Sequence, residues 1–311
     1  MDILYDVLLS QLRYIYNMSL ASMIDLHIHS TFSDGVLKPA EIVGLADSLG
    51  VLAIAITDHD TAAGTDEAIK MGTEKGIEVV PGIEISSWCG DISMHILGYC
   101  FRHDDAKFNS RLRLLQDGRE RRNARIIENL NRLGIRVDLR ELLHYSEYGQ
   151  TGRPHIARLL VDKGVAKSVD LAFKYYLGRG AAAYAERFRF SAADAISMIR
   201  EADGVAVLAH PASLDPSLRS IPALLKDLRK IGLEGVEVYY PSHSSKAVKA
   251  LVKMAEDCGL LMTGGSDFHD PERSLYKSDE WKHRTCIPYD LMRALNTACK
   301  RTSRVLQRFE L

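Results

Sequence analysis

Short apolar runs rich in Val and Ile recur along the chain, and most are followed by a stretch with helical periodicity. The runs cover residues 23–29, 51–57, 77–85, 95–99, 205–209, 235–240 and 260–263. Runs that stay apolar on both faces suit strands buried on both sides, as in parallel sheets. Helical stretches are expected over 39–49, 65–75, 191–202, 221–231, 246–258 and 288–300, the first with Pro39 at a favourable first helical position. Strand–helix alternation with short connections predicts an α/β barrel or an open parallel sheet.

The alternation stops between about residues 103 and 189. There the pattern is helical and highly charged, over 109–133, 139–143, 155–163 and 169–177, with no strand-like run between. We read 103–189 as a helical insertion covering the active site of a barrel domain built from 23–102 and 190–300. The insertion carries Arg111, Arg113, Arg119, Arg121, Arg122, Arg125 and Arg132, a run expected to be a solvated helix face. Residues 1–22 form an N-terminal extension without the basic start and clean apolar core of a signal peptide. The segment reads equally as an extra amphipathic helix or as a start placed too early, since Met23 directly precedes the first strand.

Composition narrows the class. With 311 residues, 46% hydrophobic and 26% charged, the chain is an ordinary globular protein of one large or two average domains. A formal net charge of -1 offers no global field for nucleic acid, so stable duplex DNA binding is not expected. No apolar run approaches the roughly 20 residues of a membrane span. Five scattered cysteines without a CxxC pair suit a reducing cytoplasm better than a disulfide framework.

The chemistry lies at the strand ends. Of 11 histidines, His27, His29, His59, His210 and His269 stand at or just past the end of an expected strand, and His95 at the start of the fourth. Asp34, Asp58, Glu84 and Asp267 share that placement. In α/β barrels the loops at the C-terminal strand ends converge on one face, which gathers such residues into one pocket. The period of two in His27-Ile28-His29 puts both imidazoles on one side of a strand. Glu84 is a carboxylate within an apolar strand, costly unless paired or metal-bound. A lone histidine is more often structural than a ligand; the joint placement decides for a metal site. Imidazole and carboxylate without thiolate suit zinc, manganese or iron, and a set of this size is too large for one ion.

The ordered motifs DLHIHSTFSDG, TDHDT, GIEIS, AHP and GSDFH resemble those of the polymerase and histidinol phosphatase (PHP) family, from about Met23 to His269. The resemblance implies a distorted (β/α)7 TIM-like barrel with a trinuclear metal centre. His27, His29, Glu84 and Asp267 would hold the first ion, and Glu84 would bridge to a second completed by His95 and His210. Asp34, His59 and His269 would hold the third. Two to three divalent ions are therefore expected, manganese foremost, with zinc, iron or magnesium compatible. A hydroxide bridging two of the ions would attack phosphorus in line. Asp25 and Asp58 would orient ligand imidazoles, with a strand-end cap or turn as the alternative.

Within the family, TGRPHIAR at 151–158, YLGRG at 176–180 and GVEVYYPSH at 235–243 are similar to the nucleoside 3′,5′-bisphosphate phosphatases, some of which also trim short RNA from its 5′ end. That similarity makes Arg153, His155 and Arg179 candidates for gripping substrate phosphate, for which the planar guanidinium fork is suited. Arg153 and His155 also have the plainer reading of a helix start around Pro154. Trp88, Tyr239 and Tyr240 read as packing groups rather than base-stacking platforms. The expected activity is hydrolysis of phosphate monoesters of a small nucleotide, or of short 5′-phosphorylated RNA, in the cytoplasm. The alternatives are a phosphatase for another metabolite, such as histidinol phosphate, and a non-catalytic metal-binding module.

Overall fold

The computed structural model describes residues 23–145, 150–271 and 287–306, with side chains to residue 300; the expectations for 1–22 lie outside them. Seven principal strands form a nearly closed, barrel-shaped sheet. They are β1 (Met23–Ile28), β2 (Val51–Ile56), β3 (Glu78–Cys89), β4 (Ile92–Tyr99), β6 (Val205–Leu208), β7 (Gly235–Tyr239) and β8 (Leu261–Gly264). Two-residue strands β5 (Phe190–Ser191) and β9 (Ile287–Pro288) pair with β3 and β1. The order is β8-β7-β6-β4-β3-β2-β1-β9. The chain beyond β8 returns to β1, where Asp267 N–H donates to His27 O at 2.8 Å and His29 N–H to Phe268 O at 2.8 Å. These bonds tie the two ends of the sheet together at its mouth.

One strand departs from the expected parallel arrangement. β4 runs antiparallel to both β3 and β6. The cause is the two-residue connection Gly90-Asp91, with Gly90 at φ +57, because so short a link can join only antiparallel neighbours. The reversal has a functional consequence. His95, near the start of β4, reaches the same mouth as residues at the ends of the parallel strands.

The helices cover the outside: α1 (Pro39–Ser48), α2 (Thr65–Lys75), α6 (Ala192–Glu201), α7 (Ile221–Lys230) and α8 (Ser245–Cys258). Ile83, Ile85, Ile96 and Leu208 of the sheet pack against Ile196, Ile199, Leu225 and Leu251 of these helices. A second cluster joins Leu26, Ala53, Leu97 and Val205, residues of strands far apart in the sheet, with Met292 and Leu295 of α9 (Tyr289–Leu306). Tyr99 on β4 donates its hydroxyl to Leu26 O on β1 at 2.8 Å. That bond skips two intervening strands and so crosses the barrel interior.

Between β4 and β5 the described residues hold no strand. They form α3 (Ala106–Arg132), a 3-10 turn (Leu139–Tyr145), α4 (Arg153–Asp162), α5 (Val169–Ala172) and a π turn (Phe173–Leu177). Asp105 caps α3 by accepting the Phe108 N–H. This segment has its own core, with Ile126 and Leu130 packed on Ile156, Leu160 and Leu177. The arginine run is not the uniformly solvated face expected. Arg119 and Arg122, one turn apart on α3, are buried.

The expectation of unpaired thiols also fails at one place. Cys100, just past β4, and Cys299, on α9, are joined as a disulfide with their Cα atoms 5.9 Å apart. Their separation of 199 residues hid a proximity that only barrel closure creates. Cys89 and Cys258 are free. No helix among the described residues is long and apolar enough to cross a membrane.

The seam between β8 and β1 leaves no room at Gly265, where an added Cβ would overlap the backbone of His27. Gly265→Ala should lower stability by about 3 kcal/mol, read by denaturant unfolding. An unchanged midpoint and slope would contradict this account of the seam.

Candidate metal centre

Each strand end contributes a residue to one mouth. β1 delivers His27 and His29, and the loop after it Asp34; β2 leads into Asp58, His59 and Asp60; β3 carries Glu84 and β4 His95. His210 follows β6, Glu237 lies on β7, and Asp267 and His269 follow β8. Three of these turns use left-handed backbone at residues other than glycine: Asp60 at φ +58, His210 at φ +28 and Asp267 at φ +52. Such strain costs on the order of 1–3 kcal/mol per residue and gathers at functional sites.

Glu84 is the centre of the cluster. Its carboxylate is buried and meets five imidazoles: His95 at 2.7 Å, His59 at 2.9 Å, His210 at 3.1 Å, His29 at 3.3 Å and His27 at 3.5 Å. Asp267 adds a second carboxylate 3.1 Å from His29 Nε2 and 3.4 Å from His27 Nε2. On the other side of His29, Asp34 lies 3.6 Å from Nδ1, 3.9 Å from His59 and 3.3 Å from His269. All nine residues expected as ligands therefore share one net of close contacts.

Within that net, three groups have donor atoms close enough to share an ion: His27, His29 and Glu84; His59, Glu84 and His95; and His29, Asp34, His59 and His269. His59 thus stands between two groups rather than wholly in one. Three ring nitrogens, His27 Nε2, His29 Nε2 and His59 Nδ1, are buried among carboxylate oxygens without hydrogen-bond geometry to any of them. Buried imidazole nitrogens left unbonded are costly, and cations between them and the carboxylates would satisfy both. The donor set of nitrogen and oxygen fits divalent ions of the zinc or manganese type.

The electrostatics agree. Burial opposes ionisation of Glu84, yet His95, His59 and His27 hold its carboxyl well below the usual range. His29 is raised to about 10: burial opposes its charge, and Asp267 and Glu84 outweigh burial. Burial wins at His59, lowered to about 4 despite Glu84 and Asp34. The carboxylates favour positive charge at this point, and bound cations would supply it.

A surrounding layer orients the rings. Glu237, fully buried, meets His27 Nδ1 at 2.9 Å and accepts the His210 N–H at 2.7 Å. Ser213 Oγ meets His210 Nδ1 at 2.8 Å, the Asp267 carbonyl meets His269 Nδ1 at 2.8 Å, and Tyr240 donates to Asp267 at 2.7 Å. Asp58 accepts from the Ser30 N–H and the hydroxyls of Ser30 and Ser33. It reaches His29 by way of Ser33, whose hydroxyl lies 3.4 Å from His29 Nδ1. Asp25 accepts the N–H groups of His27 and Ser266 and the Ser266 hydroxyl, which secures β1 to the turn after β8.

Sequence reasoning passed over Glu237 and Asp60. Glu237 carries the same signal as Glu84, a carboxylate inside an apolar strand. Asp60 is fully buried beside His59, and its carboxylate accepts from Ser86 N–H at 2.8 Å, Ser86 Oγ at 3.2 Å, Arg119 at 2.5 Å and Arg187 at 2.9 Å. Its N–H donates to Glu84 O at 3.0 Å. Nothing local in the sequence marks its two arginine partners, 59 and 127 residues away.

The three candidate phosphate-binding residues separate. Arg153 and Arg179 line one cleft of roughly 560 Å³ together with Arg187 and Arg189. Among the described residues, neither Arg153 nor Arg179 has a carboxylate at ion-pair distance; Arg153 instead donates to Leu177 O at 3.4 Å and lies over the Phe173 ring. His155 does not line that cleft. It is buried in the first turn of α4, where its Nδ1 accepts the Gly152 N–H at 2.8 Å.

Comparison with known proteins follows the same lines. A model of the PHP domain matches residues 25–176. The chain is 35% identical over 247 residues to a 5′-3′ exoribonuclease of Haemophilus influenzae, covering 79% of this chain and 90% of the relative. It is 33% identical over 249 residues to a 3′,5′-nucleoside bisphosphate phosphatase of Chromobacterium violaceum, covering 80% and 87%. Among solved structures, a protein of Bifidobacterium adolescentis assigned as a metal-dependent phosphoesterase superposes with a TM-score of 0.79 at 30% identity, covering 89% and 96%.

Burial lowers His155 to about 4, from an ordinary value of 6.5. Between these values the unfolded chain binds a proton that the folded protein refuses. The associated stability is whole above about pH 6.5 and falls toward pH 4, by on the order of 3 kcal/mol. Gln at this position keeps an acceptor for the Gly152 N–H, so His155→Gln should lose less stability than wild type between pH 6.5 and 4.5. Equal losses would show that the folded His155 protonates freely.

Proposed function

Because the chain belongs to the PHP family, we propose that it is a divalent-metal-dependent phosphoesterase that releases phosphate from nucleotides, acting on 3′,5′-bisphosphates or on the 5′ end of short RNA. The observation that carries the reading is the buried Glu84 carboxylate enclosed by five imidazoles, three of whose ring nitrogens lack hydrogen bonds. His27, His29, Glu84 and Asp267 would hold one ion, Glu84, His95 and His210 a second, and Asp34, His59 and His269 a third. Bound ions would supply a nucleophile by lowering the pKa of water, and would neutralise charge on the phosphoryl group.

The protein's own groups define the rest of the chemistry. Glu237 fixes His27 and the backbone at His210 together, so two arms of the site move as one. Tyr240 donates to Asp267 Oδ2 and His29 meets Oδ1, so the two groups engage different oxygens of that carboxylate. Arg158, on the helical segment, donates to Asp34 O at 3.2 Å and ties that segment to the mouth. The names of the two relatives support a nucleotide substrate, and so does the arginine-lined cleft. Arg153 and Arg179 suit a phosphate other than the one cleaved. His155, enclosed in its helix turn, suits a supporting place behind them.

Phosphate release is the direct test, with adenosine 3′,5′-bisphosphate, AMP, histidinol phosphate and a 5′-phosphorylated oligoribonucleotide, each with Mn²⁺, Mg²⁺ and Zn²⁺. The bisphosphate or the oligonucleotide should have the highest kcat/KM. His29→Ala and Glu84→Ala should abolish release. Preference for histidinol phosphate would overturn the substrate assignment, and near wild-type turnover in either variant would overturn the site.

A further inference from the structure

Trp88 stands at the outer end of β3 with 46% of its surface exposed. It lines the arginine cleft with Arg153, Arg179, Arg187 and Arg189. The strand register shows how that cleft relates to the metal centre. In the β3–β4 hairpin Glu84 pairs with Leu97, Ser86 with His95 and Trp88 with Ser93. Paired residues share a face, and every second residue along a strand repeats it. Glu84, Ser86 and Trp88 therefore form one row, with His95 and Ser93 beside it. The intervening residues Ile83, Ile85, Met94 and Ile96 pack on the other face against the helices. At about 3.4 Å per residue, Ser93 lies roughly 7 Å beyond His95 along this face, and Trp88 roughly 14 Å beyond Glu84.

The cleft is thus the outward continuation of the metal mouth. Arg189 spans the join by donating to Ser93 Oγ at 2.8 Å while pairing with Glu186 at 3.1 Å. Arg187 reaches inward to Asp60. Four arginines line the cleft against two carboxylates, Asp91 and Glu186, so its lining is net positive. A cleft lined by Arg153, Arg179, Arg187 and Arg189 is complementary to an anion, and an aromatic face at its rim is complementary to a base.

Resting on the nucleotide reading above, we propose that Trp88 is the stacking platform for the base of a nucleotide whose scissile phosphate lies at the metal centre, and that Arg153 and Arg189 take its second phosphate. Trp88 is then a specificity-determining residue, contrary to the packing role expected from sequence. Arg179, at the exposed edge, would meet the next phosphate of a longer chain.

The test uses full-length protein and four variants. Stacking contributes roughly 1–3 kcal/mol per base, equivalent to about 5- to 150-fold in affinity. Trp88→Ala should raise KM for adenosine 3′,5′-bisphosphate within that range, with a smaller change in kcat. Discrimination between the bisphosphate and ribose 5-phosphate, which lacks a base, should shrink by the same factor. Trp88→Phe should restore most of it. Arg153→Gln and Arg189→Gln should each raise KM for the bisphosphate more than for AMP. Independently of turnover, AMP should quench the fluorescence of wild type, whose only other tryptophan is Trp281, and should not quench that of Trp88→Phe.

Hydrolysis of nucleotides with unchanged KM and quenching in the Trp88 variants would overturn the platform and leave the phosphoesterase reading standing. Failure to hydrolyse any nucleotide would overturn the reading beneath it, and the quenching experiment would still decide whether Trp88 meets a base.

Discussion

A carboxylate buried among five imidazoles constrains everything around it. An isolated buried charge costs many kcal/mol, so the Glu84 environment must supply positive charge and hold it at fixed distance. Strand ends from across the barrel converge on this point, and β4 reverses direction to bring His95 there. The turns at Asp60, His210 and Asp267 accept left-handed backbone to aim the flanking side chains. Around the imidazoles a second set of acceptors, Glu237 foremost, holds the rings in place. Outer partners of this kind tune ligand geometry and basicity. The site's buried ring nitrogens face carboxylates without bonding to them, an arrangement that fits divalent ions between them.

The helical segment is bound to this centre through Asp60. That carboxylate lies one residue past His59, and its backbone N–H bonds to the carbonyl of Glu84. Arg119 and Arg187 approach it from opposite ends of the segment. Burial would push the Asp60 carboxyl up, but the two guanidinium groups hold it well below the usual carboxylate range. Removing one partner of such a buried cluster typically costs 3–5 kcal/mol. Arg187 also lines the arginine-rich cleft, so the wall of that cleft and the frame of the candidate metal centre share a contact.

Much of this was legible in the sequence because barrel geometry is regular. The strand runs and the helical interruption follow from the apolar pattern, the strand ends marked ten candidate residues, and the resemblance to PHP motifs narrowed them to the nine that cluster. What escaped depends on contacts that no local pattern records. Arg119 and Arg122 look like members of a solvated arginine run until Asp60 and the barrel wall lie against one face of α3. Trp88 looks like a core residue until the hairpin register sets it on the face that carries Glu84. The Cys100–Cys299 link needs the terminal helix to pack near the end of β4. Glu237 was within reach, since the criterion that selected Glu84 applies to it equally, but the motif around it drew attention to the segment rather than to the carboxylate.

The central claim is that the nine clustered residues are ligands of a multinuclear centre, and metal content measures it most directly. Full-length protein equilibrated with Mn²⁺ and freed of unbound metal should retain about two to three ions per chain by plasma mass spectrometry. Glu84→Gln, which keeps the shape of the side chain and removes its charge, should lose most of them. Retention of less than one ion by wild type, or an undiminished content in Glu84→Gln, would contradict the account.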